Sequence, residues 1–130
     1  MKNTFLVSFG ILFLALINSC TTNSQVQGVK NIKQTEFQKL AKEESTLIID
    51  VRNPEEVSEG YINGANLFIN YNGNDFESKI TKLDKSKSYI IYCRSGGRSV
   101  SASQFMASKG FKKLYNLEGG ISNWTGSIKK

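Results

Sequence analysis

Cys93 opens the one stretch of this chain whose residue types and spacing imply chemistry, Cys93-Arg-Ser-Gly-Gly-Arg-Ser99. The thiolate is the reactive form of cysteine, and flanking cations and free amides favour it. Ser95, Gly96 and Gly97 can bend tightly, so that several backbone N–H groups converge on one point and hold an anion beside the sulfur. A helix expected from Ser99 adds free amides and the positive end of its dipole. Arg94 and Arg98 add full charges. A cation in or just before a first helical turn opposes the dipole, so Arg98 makes sense there if an anion occupies the loop. The 130 residues include no histidine. Ser-His-Asp and Cys-His arrangements are therefore excluded, and zinc lacks its commonest nitrogen ligand. Cys20 is the only other cysteine. Two cysteines build neither a metal cluster nor a disulfide framework, and no cofactor is expected.

The elements that must carry this loop alternate between strand and helix. Val29–Ile32 reads as a first strand, and Thr35 with Gln38 as the start of a helix reaching Glu43. Thr46-Leu-Ile-Ile-Asp-Val51 is an apolar, β-branched run of the kind buried on both faces of a parallel sheet. Asn53-Pro54-Glu55-Glu56 supplies a cap, a proline at the first helical position and an acid at the third, with Gly60 as the stop. Asn66–Ile69 is a further strand, and Asn74 with Glu77 caps a helix running to about Leu83. Ser88–Tyr92 is a second apolar strand, leading directly into Cys93. The helix from Ser99 stops at Gly110, Lys113–Leu117 is the last strand, and a turn around Gly120–Trp124 closes the domain. This order predicts an α/β fold with a mostly parallel central sheet flanked by helices. In such sheets ligands bind beyond the carboxyl ends of the strands, where Cys93 stands.

The first residues read differently. Phe5–Ile17 is apolar apart from Ser8 and Gly10, follows Lys2, and is shorter than the roughly 20 residues a membrane-spanning helix needs. Residues 1–19 therefore read as an export signal. Leu16-Ile-Asn-Ser-Cys20 resembles a bacterial lipoprotein box, which implies cleavage before Cys20, lipid on Cys20 and a membrane-anchored place in the cell envelope, facing the periplasm. A plain signal peptide with an incidental cysteine is the alternative. Residues 20–28 would form a polar tether, and residues 29–130 the domain. The net charge of +6 falls to +5 without Lys2 and is spread over scattered lysines. No basic stripe is interleaved with aromatics, so nucleic acid is not an expected partner, whereas small anions are.

Four segments resemble the rhodanese family. They are Leu47-Ile-Ile-Asp-Val-Arg52 with Pro54 and Glu55, Gly60-Tyr-Ile-Asn-Gly-Ala65, Cys93–Ser99, and Leu117-Glu-Gly-Gly-Ile-Ser-Asn-Trp124. The resemblance implies a sulfurtransferase. Cys93 would take a sulfane sulfur from a small anionic donor such as thiosulfate, become a persulfide, and hand the sulfur to cyanide or a thiol. It also implies that Arg94, Ser95, Gly96, Gly97, Arg98 and Ser99 cradle the substrate. Asp50 and Arg52, at the end of a strand parallel to that of Cys93, are candidate supporting residues, Asp50 being expected to hold Arg52 or a turn amide. Tyr61 stands where the family often has histidine, and Asn70 near a usual proline. Trp124 and Tyr115 are expected as core or rim aromatics.

Two rivals stay open. A cysteine phosphatase or arsenate reductase uses a similar loop, but with its arginine six residues after the cysteine, where this chain has Ser99. A rhodanese module without catalysis, used for sulfur carriage or partner binding, is the second. The presence of Cys93 with its arginines favours the enzyme.

Overall fold

Short β-branched runs and capped helical segments alternate along the chain, and their buried sides decide how they stack. The computed structural model describes residues 28–130. The expected signal segment, Cys20 and the tether up to residue 27 lie outside the described residues. The strands are β1 (Val29–Ile32), β2 (Thr46–Asp50), β3 (Tyr61–Ile62), β4 (Leu67–Phe68), β5 (Ser88–Tyr92), β6 (Leu114–Leu117) and β7 (Ile128–Lys129). The helices are α1 (Gln34–Leu40), α2 (Pro54–Ser58), α3 (Phe76–Thr81) and α4 (Gly97–Ser108), and a 3-10 turn spans Gly120–Asn123. Five strands form one parallel sheet in the order β1-β6-β5-β2-β4. The expected α/β class, with helices flanking a parallel sheet, is what the chain adopts.

β5 lies in the middle, with all five residues buried. Side chains alternate across a strand. Ile49 and Ile91 accordingly pack with Phe76, Ile80, Ala102 and Met106 on one face, while Ile48 and Ile90 pack with Phe37, Ile62 and Leu117 on the other. Burying an isoleucine fully contributes about 1.5–3 kcal/mol, so this double burial of the central strand is the main force behind the fold. It also makes the carboxyl end of β5 a rigid place from which to project Cys93.

Several local expectations shift. Helix α1 starts at Gln34 after Lys33, with no side-chain cap from Thr35, and ends at Leu40. In α3 the residue before the first turn is Asp75, not Asn74. The first helical bond runs from the Lys79 amide to the Asp75 carbonyl at 2.9 Å, which sets the start one residue later than read, and the Asp75 carboxylate pairs with Lys79 at 2.8 Å. Helix α4 starts at Gly97, two residues before the expected Ser99, because Val100 donates to the Gly96 carbonyl at 3.0 Å and extends the first turn. Strand β7, read as part of no element, pairs antiparallel with β3. The cap of α2 is as expected: the Asn53 side chain accepts from the Glu56 amide at 2.9 Å, and Glu56 Oε2 accepts from the Asn53 amide at 3.1 Å.

At the end of β2 the chain buries an ion pair. Asp50 is 0% and Arg52 6% exposed. Arg52 Nη2 donates to Asp50 Oδ2 at 2.7 Å and to the Gly60 carbonyl at 2.7 Å, and Arg52 Nε donates to Asp50 Oδ1 at 3.0 Å. Asp50 thus holds Arg52, as expected, and also the Arg52 amide at 3.0 Å. Removing one member of a buried pair strands the other charge. Arg52→Met should cost about 3–5 kcal/mol in urea unfolding, and the double variant Asp50→Leu/Arg52→Met should recover part of it. Additive losses in that cycle would show that the two side chains act independently.

Candidate functional site

The loop after β5 is shaped by what its backbone does. Gly96 has φ of +120°, a left-handed conformation that favours glycine, and nothing lies within 4 Å of where a Cβ would sit at Gly96 or Gly97. The turn aims the Gly96 amide at Cys93 Sγ, 3.1 Å away. Ser99 Oγ lies 3.4 Å from the same sulfur and donates to the Gly96 carbonyl at 3.0 Å. A serine hydroxyl has one proton, so it can serve the carbonyl while Cys93 is a thiol and turn to the sulfur when it is a thiolate.

Cys93 is 1% exposed. Burial pushes its thiol up. The Ser99 hydroxyl and the amides of Ser99, Gly96 and Ser95 outweigh burial and hold the group below the usual thiol value. Sequence reasoning assigned that effect to loop amides together with Arg94 and Arg98. The structure gives the amides their part and adds the Ser99 hydroxyl.

Arg98 is placed differently from expectation. It occupies the first turn of α4, but its anion is not in the loop. Arg98 Nη1 donates to Glu56 Oε2 at 2.7 Å and Nη2 to Glu56 Oε1 at 2.8 Å, a bidentate pair. The guanidinium holds the Glu56 carboxyl down to about 2. Glu56 thus compensates the cation that opposes the helix dipole. Sequence reading saw Glu56 only as the third residue of a capping box. Arg94 and Ser95 are exposed at the mouth of the loop, and Gly97 beside them.

A second group of residues was missed as a support. The Gly119-Gly120 turn packs against the loop from below: Ile121 donates its amide to the Cys93 carbonyl and Ser122 to the Arg94 carbonyl, each at 3.0 Å. A Cβ at Gly120 would lie 2.4 Å from the Cys93 oxygen and 2.6 Å from the Arg94 oxygen. Those glycines were visible in the sequence, but nothing in their spacing named the carbonyls they face. Beyond this turn, Lys33, Gln34, Leu117 and Trp124 line a cavity of about 240 Å³. Trp124 stacks edge-on against Phe37 with centroids 4.8 Å apart, and Tyr115 packs on the same cluster, so both are the core and rim aromatics expected. On the other side Arg52, Pro54, Val57 and Phe68 help line a cavity of about 440 Å³. Tyr61 packs edge-on against Phe68 there, at 4.9 Å, and the Asn70 side chain accepts from the Asn72 amide at 3.0 Å to form a turn.

Comparison with known proteins identifies the family and the fold. Residues 33–127 match the family described as rhodanese-like domain. The Bacillus subtilis protein YtwF is 39% identical over 92 residues, which is 71% of this chain and 85% of its own length. A thiosulfate sulfurtransferase, GlpE of Ectopseudomonas mendocina, is 32% identical over 95 residues, 73% of this chain and 84% of its own. Among solved structures, a rhodanese-related protein from Thermoplasma volcanium superposes with a TM-score of 0.67 at 25% identity, covering 77% of this chain and 97% of that one. A match that extends over both the sheet and the cysteine loop makes this chain a member of the rhodanese-like domain family.

Proposed function

We propose that the protein is a sulfurtransferase working through a persulfide on Cys93. The observation that carries this reading is the ring around Cys93 Sγ, in which the Gly96 amide at 3.1 Å and the Ser99 hydroxyl at 3.4 Å favour the thiolate. The Cys93 thiolate attacks the outer sulfur of thiosulfate. The bond between the two thiosulfur atoms breaks, sulfite leaves with the electron pair, and Cys93 carries one added sulfur. Cyanide or a thiolate then attacks that terminal sulfur, and the Cys93 thiolate is released. Loop amides would hold the negative charge at both stages without moving, which is where preorganised donors lower a barrier. Arg94, exposed at the mouth, would draw the anionic donor. The relative named thiosulfate sulfurtransferase supports this donor class.

The phosphatase reading is less well supported, because the sixth position after the cysteine is Ser99, and Arg98, one residue short of it, is held by Glu56. We further propose, from residues 1–20 alone, that the protein is exported and held in the cell envelope by lipid on Cys20.

Three outcomes test the chemistry. Cys93→Ser should abolish thiocyanate formation from thiosulfate and cyanide while circular dichroism stays native. Activity within a few-fold of wild type would remove Cys93 as the nucleophile, and a native wild type that forms no thiocyanate would favour a binding module. Alkylation of the Cys93 peptide, followed by mass spectrometry against pH, should report the thiolate. Its rate should rise with a midpoint below the usual thiol value, and Ser99→Ala should move that midpoint upward because the hydroxyl's bond to the thiolate is lost. An unmoved midpoint would leave the amides alone responsible. Finally, Glu56→Gln should free Arg98 from its ion pair and raise the affinity for dianionic thiosulfate by about fivefold to tenfold, while Arg98→Ala should not mimic it. Equal effects of the two variants would mean that the pair serves only to place the loop.

A further inference from the structure

Most of the domain's excess charge, scattered along the sequence, gathers at one end of the sheet. Residues 28–130 contain sixteen Lys and Arg against eleven Asp and Glu. Six of those lysines, Lys82, Lys85, Lys87, Lys109, Lys112 and Lys113, lie in the α3–β5 and α4–β6 loops, with Asp84 as the one acid there. The other ten basic and ten acidic residues of the domain cancel. Both loops precede strands of the parallel sheet, so both sit at its amino-terminal edge, and they touch. Lys85 Nζ is 5.8 Å from the centre of the Phe111 ring, and the Tyr89 amide donates to the Lys113 carbonyl at 2.9 Å. Five of the six lysines are exposed and Lys87 is half-buried. The Asp84 carboxylate accepts from the amide and hydroxyl of Ser86 at 2.9 and 2.7 Å, inside its own loop. The α1–β2 loop on the same edge adds Lys42 with Glu43 and Glu44.

The preceding chain joins the domain at this same edge. Val29 is in register with Leu114, so Gly28 lies beside Lys113. Residues 21–27 are uncharged and can span at most about 25 Å, so the apolar Phe5–Ile17 stretch or a lipid on Cys20 would hold this edge close to a bilayer. Cys93 is at the opposite edge, one strand length or roughly 17 Å away. The chemistry of the edge also points to a diffuse negative surface. All six cations are lysines, mobile point charges, whereas the domain's three arginines, Arg52, Arg94 and Arg98, are at the other end.

We propose that the lysine edge docks on anionic phospholipid headgroups and so presents the Cys93 loop away from the membrane. The inference is independent of the sulfur chemistry and uses residues 1–27 only as the attachment. In the test, the full chain is floated with vesicles of phosphatidylcholine, or of phosphatidylcholine containing phosphatidylglycerol. Wild-type partitioning into the anionic vesicles should exceed that into neutral ones by about tenfold or more at low salt, and high salt should erase the excess. The variant with all six lysines changed to Gln should keep its neutral-vesicle binding and its solution activity but lose the excess. Cys20→Ser should lower binding to both vesicles alike and leave the ratio intact, so that failure of the anchor assignment is told apart from failure of the docking surface. A six-Gln variant that retains the ratio, or a wild type that shows none while binding an acidic polypeptide or nucleic acid, would overturn the proposal.

Discussion

A loop whose amides converge on a sulfur atom cannot use those amides to hold itself in place, and the rest of the molecule is arranged around that constraint. The Gly96 amide is spent on Cys93 Sγ. The loop is held instead by its carbonyls. Those of Cys93 and Arg94 accept from Ile121 and Ser122, and that of Gly96 accepts from Val100 and from Ser99 Oγ. A close approach of this kind leaves no room for a Cβ at Gly120, where one would lie 2.4 Å from the Cys93 oxygen. The 3-10 turn is thus a structural floor for the loop, although it is separated from Cys93 by more than twenty residues of chain.

Charge is managed by a second chain of contacts. Asp50 holds Arg52, and Arg52 reaches the Gly60 carbonyl and, at 3.4 Å, the Glu56 carbonyl. The Glu56 side chain caps α2 and grips Arg98 in the first turn of α4. One carboxylate thereby satisfies the start of one short helix and offsets a cation that would otherwise oppose the dipole of another. The end of β2 and the start of α4 are coupled through α2, a helix of only five residues whose persistence depends on these bonds more than on its own propensity.

A parallel sheet also separates two kinds of surface. Every strand of the five-stranded sheet ends on the side of Cys93, and the lysine-bearing α3–β5 and α4–β6 loops lie on the other. Reactive loop and charged edge are therefore kept one strand length apart by topology, without any residue dedicated to the task.

The class of fold was legible because both signals for it are local. Runs such as Thr46–Val51 and Ser88–Tyr92 are too apolar and too β-branched to be anything but buried strands, and the Asn53-Pro54-Glu56 cap needs only residues that are neighbours in sequence. Cys93 was legible for the same reason, since its glycines, serine and helix follow within a few residues. What remained hidden depends on pairs distant along the chain. The partner of Arg98 is 42 residues earlier, and the amides that hold the loop's carbonyls come from residues 121 and 122. Strand β7 forms only because β3 offers it an edge. Local composition sets which backbone states are cheap, so residue order alone marked the main strands, the cap of α2 and the glycine-rich surroundings of Cys93. The identity of each side chain's partner is decided only when packing of the sheet brings remote segments together, and this is why Arg98, read as awaiting an anionic ligand, proved in the tertiary structure to be already paired.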